Sequence, residues 1–232
     1  MTPAALRVAV LGARGRLGAF ACAQLRASDQ FELVGEFDSD DDWAAALPAC
    51  RAQVGLEATR AGLGALHGLA LLEAGVRPVI ATSGVSLDQQ AELDRAAREH
   101  DLGGLIVPNL SLGILLLERA CRSFAAQLPA IEILEEHHEH KLDAPSGTAL
   151  ELARAVVEAR GPQARGEVPI ESRREAGRYA HHEVRFSGPG EQLTVRHDMQ
   201  GPEAFGPGLL AALRYASVAV GVRRGLSHAL DQ

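Results

Sequence analysis

The chain reads as an α/β protein, a doubly wound parallel sheet followed by a smaller α+β half, and three observations predict this. Over the first 110 residues, short apolar runs alternate with helix-length segments, the pattern of a parallel sheet covered on both faces. A glycine-spaced turn follows the first run directly. Beyond residue 110 the alternation gives way to a long helix and to two strands joined by a Gly-Pro-Gly turn.

Taken in order, residues 6–11 (Leu-Arg-Val-Ala-Val-Leu) form a short apolar run that ends at Gly12, as a buried parallel strand does. Helical spacing runs from Leu17 to Ala27. Phe31 to Phe37 predicts a second strand ending in Asp38, and Asp38-Ser39-Asp40-Asp41-Asp42 a polar turn. Val54-Gly55-Leu56 is a weaker third strand, and Leu63 to Ala74 a helix closed by Gly75. Pro78 to Thr82 predicts a fourth strand, Leu87 to His100 an amphipathic helix, and Gly104 to Val107 a fifth strand ending in Pro108-Asn109. In the second half, Ser111 to Ala126 predicts a helix, Ile131 to Glu136 a strand and Ala149 to Ala159 a helix. Val184 to Phe186 and Gln192 to His197 form a hairpin around Gly188-Pro189-Gly190. A last helix runs from about Phe205 to Val220, with an apolar face at Leu209, Leu210, Leu213 and Ala216. The expected division is a first domain over 1–110, on which the C-terminal segment 205–232 packs back, and a second domain over 111–204.

A net charge of −7 with scattered arginines leaves no basic field for nucleic acid or an anionic membrane. No apolar run reaches the roughly 18 residues of a membrane span. Met1 to Arg7 contains no apolar leader core, and Cys22, Cys50 and Cys121 are far apart, so a reducing cytoplasm is the expected location. With aromatics at 4%, the core is expected to be aliphatic.

The turn Gly12-Ala13-Arg14-Gly15-Arg16-Leu17-Gly18 joins the first strand to the first helix. Glycines suit a backbone that must turn tightly and approach a pyrophosphate at a helix N-terminus, which makes the sheet Rossmann-type. Asp38 lies 20 residues beyond Gly18, at the end of the second strand, where an acid accepts hydrogen bonds from a ribose. Ser39 and three further acids follow it with no adjacent arginine, so a 2′-phosphate would meet like charge and NADH is expected to be preferred over NADPH. Arg14 or Arg16, reaching round, would soften that preference.

The densest chemistry lies in Glu136-His137-His138-Glu139-His140-Lys141-Leu142-Asp143-Ala144-Pro145-Ser146-Gly147-Thr148. Imidazoles exchange protons near neutral pH, and an ammonium beside a helix start holds carboxylates. If the strand continues through Lys141, His137, Glu139 and Lys141 share one face and His138 and His140 the other. Pro145 fits the first helical turn, Asp143, Ser146 or Thr148 the cap, and Thr148 with Glu151 a capping box. Gly147 lets an anion approach the exposed N–H groups. Against this stand two alternatives: solvated or core histidines with a plain cap, and a metal site of His138 and His140 completed by His181, His182 or His197.

The segment Glu135 to Leu150 resembles the signature of the 4-hydroxy-tetrahydrodipicolinate reductase (dihydrodipicolinate reductase) family, E-x-H-H-x-x-K-x-D-A-P-S-G-T-A, at every specified position. Weaker segments agree in order: Gly12 to Gly18, Ala81-Thr82-Ser83-Gly84, Pro108 to Gly113, then Ser172, Arg174, His182 and His197. Leu17 replaces a methionine, Glu57-Ala58-Thr59 replaces D-F-T, Ala81 replaces a glycine and Pro202 an arginine. The resemblance implies NADH- or NADPH-dependent reduction of 4-hydroxy-tetrahydrodipicolinate, a small dicarboxylate, in the diaminopimelate–lysine pathway, by a homotetramer. His137 matches the family's proton donor and Lys141 its second donor, and His138, Gly147 and Thr148 match its substrate contacts. The cofactor contacts implied are Gly12, Ala13, Arg14, Gly15, Arg16, Leu17, Asp38, Ala81, Thr82, Ser83, Val107, Pro108, Asn109 and Leu110. Alternatives are a reductase of another small carboxylate and a catalytically inactive dinucleotide-binding sensor; metal-dependent hydrolysis by the histidines is a further one.

Overall fold

The computed structural model describes residues 4–128, 130–161 and 167–230. The leader-free reading of Met1 to Arg7 falls in part on residues 1–3, outside the described residues. In chain order the elements are β1 (Leu6–Leu11), α1 (Arg16–Arg26), β2 (Phe31–Phe37), α2 (Trp43–Cys50), β3 (Val54–Glu57), α3 (Gly64–Glu73), β4 (Arg77–Ile80), α4 (Leu87–Glu99) and β5 (Gly103–Ile106). They continue with α5 (Leu112–Phe124), β6 (Ala130–His137), α6 (Gly147–Arg160), β7 (Ile170–Arg174), β8 (Ala180–Gly188), β9 (Glu191–Met199), α7 (Gly206–Val218) and β10 (Gly221–Arg224). Short 3-10 turns cover Pro202–Phe205 and Leu226–Ala229.

The chain falls into two compact units: residues up to Leu110 together with those from Phe205 onward, and Ser111–Ala204. In the first, six strands pair in parallel in the order β10-β5-β4-β3-β1-β2. Val8, Ala9, Val10 and Leu11 of β1 are all buried, as expected of a central strand covered on both faces rather than one that alternates. The strand order reverses at β1, with β2 on one side and β3 on the other. In open α/β sheets, the crevice beyond the carboxyl ends of the strands at such a reversal is where ligands bind.

Three elements of this unit and its neighbour differ from the sequence expectation. Trp43–Cys50 is helical, capped by Asp42, whose carboxylate accepts the Ala45 N–H at 3.3 Å, although Pro48 and the acidic approach mask its periodicity. The last helix ends at Val218, and the chain then forms β10, a parallel edge strand beside β5. A sequence of Gly-Val-Arg-Arg carries too little apolar signal to read as a strand; the Val222 N–H is anchored instead by Asp94 on α4, at 2.7 Å. The third, β7, belongs to the second unit and reads as Ile-Glu-Ser-Arg-Arg.

That unit is a mixed four-stranded sheet of order β7-β6-β8-β9, with β6 and β7 parallel and the other pairs antiparallel. Ile131, Ile133, Val184 and Phe186 cluster with Leu117 and Cys121 of α5 and Leu152 and Val156 of α6. The residues that alternate with these, among them Glu132, Glu183 and Arg185, carry charge and pair with one another. Among the described residues no helix is long and apolar enough to cross a membrane.

Candidate active site

All strands of the first sheet are parallel, so the loops after β1, β2, β3, β4 and β5 share one edge. That edge gathers Gly12 to Leu17, Asp38, Ala81 to Ser83 and Val107 to Leu110. The N–H groups of Gly12 and Ala13 both donate to the Phe37 carbonyl, at 2.7 and 3.1 Å, which fixes the glycine turn beside the end of β2. Gly12 has φ +82°, and a Cβ there would lie 2.6 Å from the Ala58 carbonyl oxygen. A Cβ on Gly18 would lie 2.0 Å from the Gly12 carbonyl oxygen, so the helix start is pressed against the turn. Gly15 precedes α1 without a side-chain cap, leaving Arg16, Leu17 and Gly18 to open the helix as a pyrophosphate cradle requires.

Arg14 reaches round to the acids. Its N–H donates to Asp38 at 2.8 Å, and its guanidinium pairs with Asp38 and Asp40, each at 3.0 Å. Hydrogen bonds to Asp40 and Asp38 raise the Arg14 pKa, and Asp40 is lowered in return. Val107 and Leu110 have buried side chains and offer only backbone to a ligand, whereas Pro108 is exposed.

Glu57, in sequence no more than a departure from a family motif, holds this edge together. Its carboxylate is fully buried at the end of β3 and accepts from the Thr59 N–H (3.1 Å), the Thr59 hydroxyl and the Thr82 hydroxyl, with His67 Nδ1 at 3.3 Å. Burial pushes the Glu57 carboxyl up, but the bonds from His67, Thr59 and Thr82 outweigh it and hold it below the usual range. The Gly62 N–H donates to the Ser83 carbonyl at 3.0 Å, so the loops after β3 and β4 are joined twice.

In the second unit β6 delivers Glu135 and His137 to one face, and both are buried. One carboxylate oxygen of Glu135 bonds His137 Nδ1; the other accepts from Arg174 at 3.0 Å and from the Ser146 N–H at 3.2 Å. Burial alone would raise the Glu135 carboxyl, yet Arg174 and His137 hold it low. His137 is lowered, chiefly by burial and further by Lys141 and Arg174, against the pull of Glu135. His182 stands edge-on to His137 with ring centroids 5.3 Å apart, and burial drops it to about 3. Ser146 caps α6, accepting the Ala149 N–H at 3.2 Å, and its Oγ lies 3.3 Å from His182 Nε2.

The expected alternation through Lys141 does not occur. β6 ends at His137, and His138 to Lys141 form a turn closed by the Lys141 N–H on the His138 carbonyl at 3.1 Å. Lys141 reaches the neighbourhood of His137 through that turn, and its ammonium pairs with Asp143 at 2.8 Å. Arg174 clips the loop down, donating to the carbonyls of Lys141 (3.3 Å) and Asp143 as well as to Glu135. Pro145 precedes the cap instead of opening the helix, because Ser146 takes the cap position. Thr148 lies inside α6 and Glu151 pairs with Arg154, so the Thr148–Glu151 box is not formed. Gly147 is the first helical residue; it is exposed, and no protein atom lies within 4 Å of a Cβ placed there. His138 is half-exposed and His140 exposed, with ring centroids 6.3 Å apart. Among the described residues no three His, Cys, Asp or Glu side chains gather as a metal-holding group. Ser172 and His182 flank Glu135 across the sheet, and His197 pairs with His182, so the scattered family matches converge on this cluster. Of the three candidate caps Ser146 is the one used, and Glu135 is the residue of the cluster to which its sequence pattern assigns no role.

Such a molecule is an oxidoreductase, a reductase built on a nicotinamide-dinucleotide unit. Comparison with known proteins sharpens the class: residues 6–110 match the family described as dihydrodipicolinate reductase, N-terminus, and residues 112–229 match dihydrodipicolinate reductase, C-terminus. The chain belongs to the dihydrodipicolinate reductase family. It is 37% identical to the 4-hydroxy-tetrahydrodipicolinate reductase of Beutenbergia cavernae, covering 97% of this chain and 99% of that protein. The enzyme of the same description from Legionella pneumophila is 35% identical over the same shares. A dipicolinate-bound dihydrodipicolinate reductase from Paenisporosarcina sp. TG-14 superposes with a TM-score of 0.83 at 27% identity, covering 96% of this chain and 98% of that one.

Proposed function

We propose that the protein reduces 4-hydroxy-tetrahydrodipicolinate to tetrahydrodipicolinate in diaminopimelate and lysine biosynthesis, with residues 1–110 holding the dinucleotide and 111–204 the substrate. The 4-hydroxyl leaves as water, and one hydride and one proton are added to the substrate. When bound, the dinucleotide supplies the hydride. The residues present fit it: a Cβ on Gly12 or Gly18 would collide with backbone, so the tight turn at the helix start needs glycine at both, and Glu57 holds Thr82 on the same sheet edge.

The observation that carries the reading is a buried Glu135–His137 pair close to a lysine and an open helix start. In this reading His137 protonates the enamine carbon left by hydride addition, help worth ~10²–10⁴-fold. Lys141 exchanges its Asp143 partner for a substrate carboxylate and acts as the second donor. The N–H groups at Gly147 and Thr148, with His138, receive a carboxylate through charge-assisted hydrogen bonds. NADH is the preferred cofactor, because a 2′-phosphate must displace two carboxylates from the Arg14 guanidinium. A homotetramer in the cytoplasm goes with the family resemblance; sedimentation of the purified protein checks the assembly.

The test is dinucleotide oxidation followed by absorbance, with the unstable substrate made in situ from pyruvate and aspartate semialdehyde by its synthase. Turnover with a higher kcat/KM for NADH than for NADPH is expected. Folded protein that binds NADH yet turns over with neither dinucleotide overturns the proposal.

A further inference from the structure

We propose that Glu135 is a positioning residue: its carboxylate fixes His137 as the tautomer protonated at Nδ1 and makes Nε2 the nitrogen that exchanges the catalytic proton. This rests on the reading of His137 as proton donor. Three observations carry it. Glu135 is fully buried, so its charge is unscreened by solvent where it meets His137 Nδ1. Its other oxygen is held at two points, by Arg174 and by the Ser146 N–H, so the carboxylate cannot swing away from the imidazole. A carboxylate so held accepts and does not donate, which requires that Nδ1 carry the proton.

The arrangement has an electrostatic consequence. Charged and titratable groups face His137 from every neighbouring element: Glu135 on its own strand, Lys141 and Asp143 in the following loop, Arg174 on β7 and His182 on β8, with His197 behind the latter. Lys141 and Arg174 disfavour the imidazolium, and burial disfavours it too. Glu135 opposes all three, so it is what keeps His137 protonatable in the cluster. Arg174 keeps Glu135 ionised and also tethers the loop that carries Lys141, so one guanidinium links both proton donors to the same carboxylate.

The experiment compares full-length wild type, Glu135→Gln and His137→Gln. In Glu135→Gln, kcat is expected to fall on the order of 10²-fold, the loss that follows misplacing a reacting group by about 1 Å. NADH affinity should stay within about twofold, since no part of the glycine turn is touched. The alkaline limb of the kcat/KM profile should move to lower pH, because losing the carboxylate makes the imidazolium easier to deprotonate. An unchanged kcat and an unmoved limb overturn the proposal. Long-range ¹H–¹⁵N NMR of wild type, assigned with His137→Gln, reads the tautomer independently of how well Glu135→Gln folds. Protonation at Nδ1 is expected, and protonation at Nε2 overturns the proposal. Full activity in His137→Gln would instead remove the reading beneath it, a result distinct from an inactive His137→Gln beside a wild-type-like Glu135→Gln.

Discussion

Replacing Glu57 with glutamine is expected to loosen the dinucleotide-binding unit while leaving its packing volume unchanged. The carboxylate accepts the Thr59 N–H and the Thr59 and Thr82 hydroxyls, and His67 Nδ1 lies beside it, all away from water. A glutamine keeps one acceptor oxygen for Thr59, but its NH₂ group meets the Thr82 hydroxyl, which must turn round to accept. Hydrogen bonds to a charged partner contribute about 1.5–3 kcal/mol and neutral ones about 0.5–1.5. Weakening this set, offset in part by relief of the buried charge, gives a net cost of about 2 kcal/mol. For a chain of this length that is a fall in Tm of about 4–8 °C. Trp43 is the sole tryptophan and stacks edge-on to His67 at 5.4 Å, so its fluorescence in a urea titration reports on this unit in particular. The sign with pH follows from the lowered carboxyl. The contribution is complete above the unfolded value of about 4.3 and disappears as pH falls through the lower folded value. The deficit of Glu57→Gln should thus be constant near neutrality and shrink in acid. A variant within about 0.5 kcal/mol of wild type at pH 7, the range of an ordinary surface change, would refute the reasoning.

Three further substitutions probe the glycine turn of the first unit and the helix start of the second. Gly18→Ala puts a Cβ 2.0 Å from the Gly12 carbonyl oxygen, so the turn must open by roughly 1 Å or more. NADH titration should show a Kd at least about tenfold weaker, a loss of about 1.4 kcal/mol; wild-type affinity would show that the turn tolerates the methyl group. Gly147→Ala meets no protein atom and removes a helical glycine, so stability should be unchanged or higher by up to about 1 kcal/mol. Its KM for the dicarboxylate should nonetheless rise, and an unaltered KM would show that no anion approaches there. Arg14→Ala exposes Asp38 and Asp40 without their partner and should lower the NADPH-to-NADH ratio of kcat/KM by about two- to fivefold, the scale of an exposed ion pair; an unchanged ratio would put the guanidinium outside the phosphate site.

The strands β1 to β5 and the glycine turn are legible in sequence because each is a local pattern: an apolar run, a helical period, a glycine at a strand end. The alignment of Glu135 and His137 on one face is likewise implicit in their spacing of two along a strand. Other elements are invisible for a definite reason. The edge strands β7 and β10, Ile-Glu-Ser-Arg-Arg and Gly-Val-Arg-Arg, are strands because a neighbour offers its hydrogen-bonding edge, not because of their own composition. Lys141 comes near His137 through a turn where the strand pattern predicts extended chain, and the clip from Arg174, 33 residues on, adds to the turn's own Lys141–His138 backbone bond in holding it down.

By itself, the sequence determined the parallel sheet, the glycine turn after its first strand and the crowding of His137 and Lys141 ahead of a helix start, since these rest on residue type and short-range spacing. Only the tertiary structure decided that Glu135 and Glu57 are fully buried and ionised, that Arg174 and Thr82 are their respective partners, and that Arg14 pairs with Asp38 and Asp40. Those facts depend on desolvation and on pairs of groups brought together from distant parts of the chain, which no local pattern encodes.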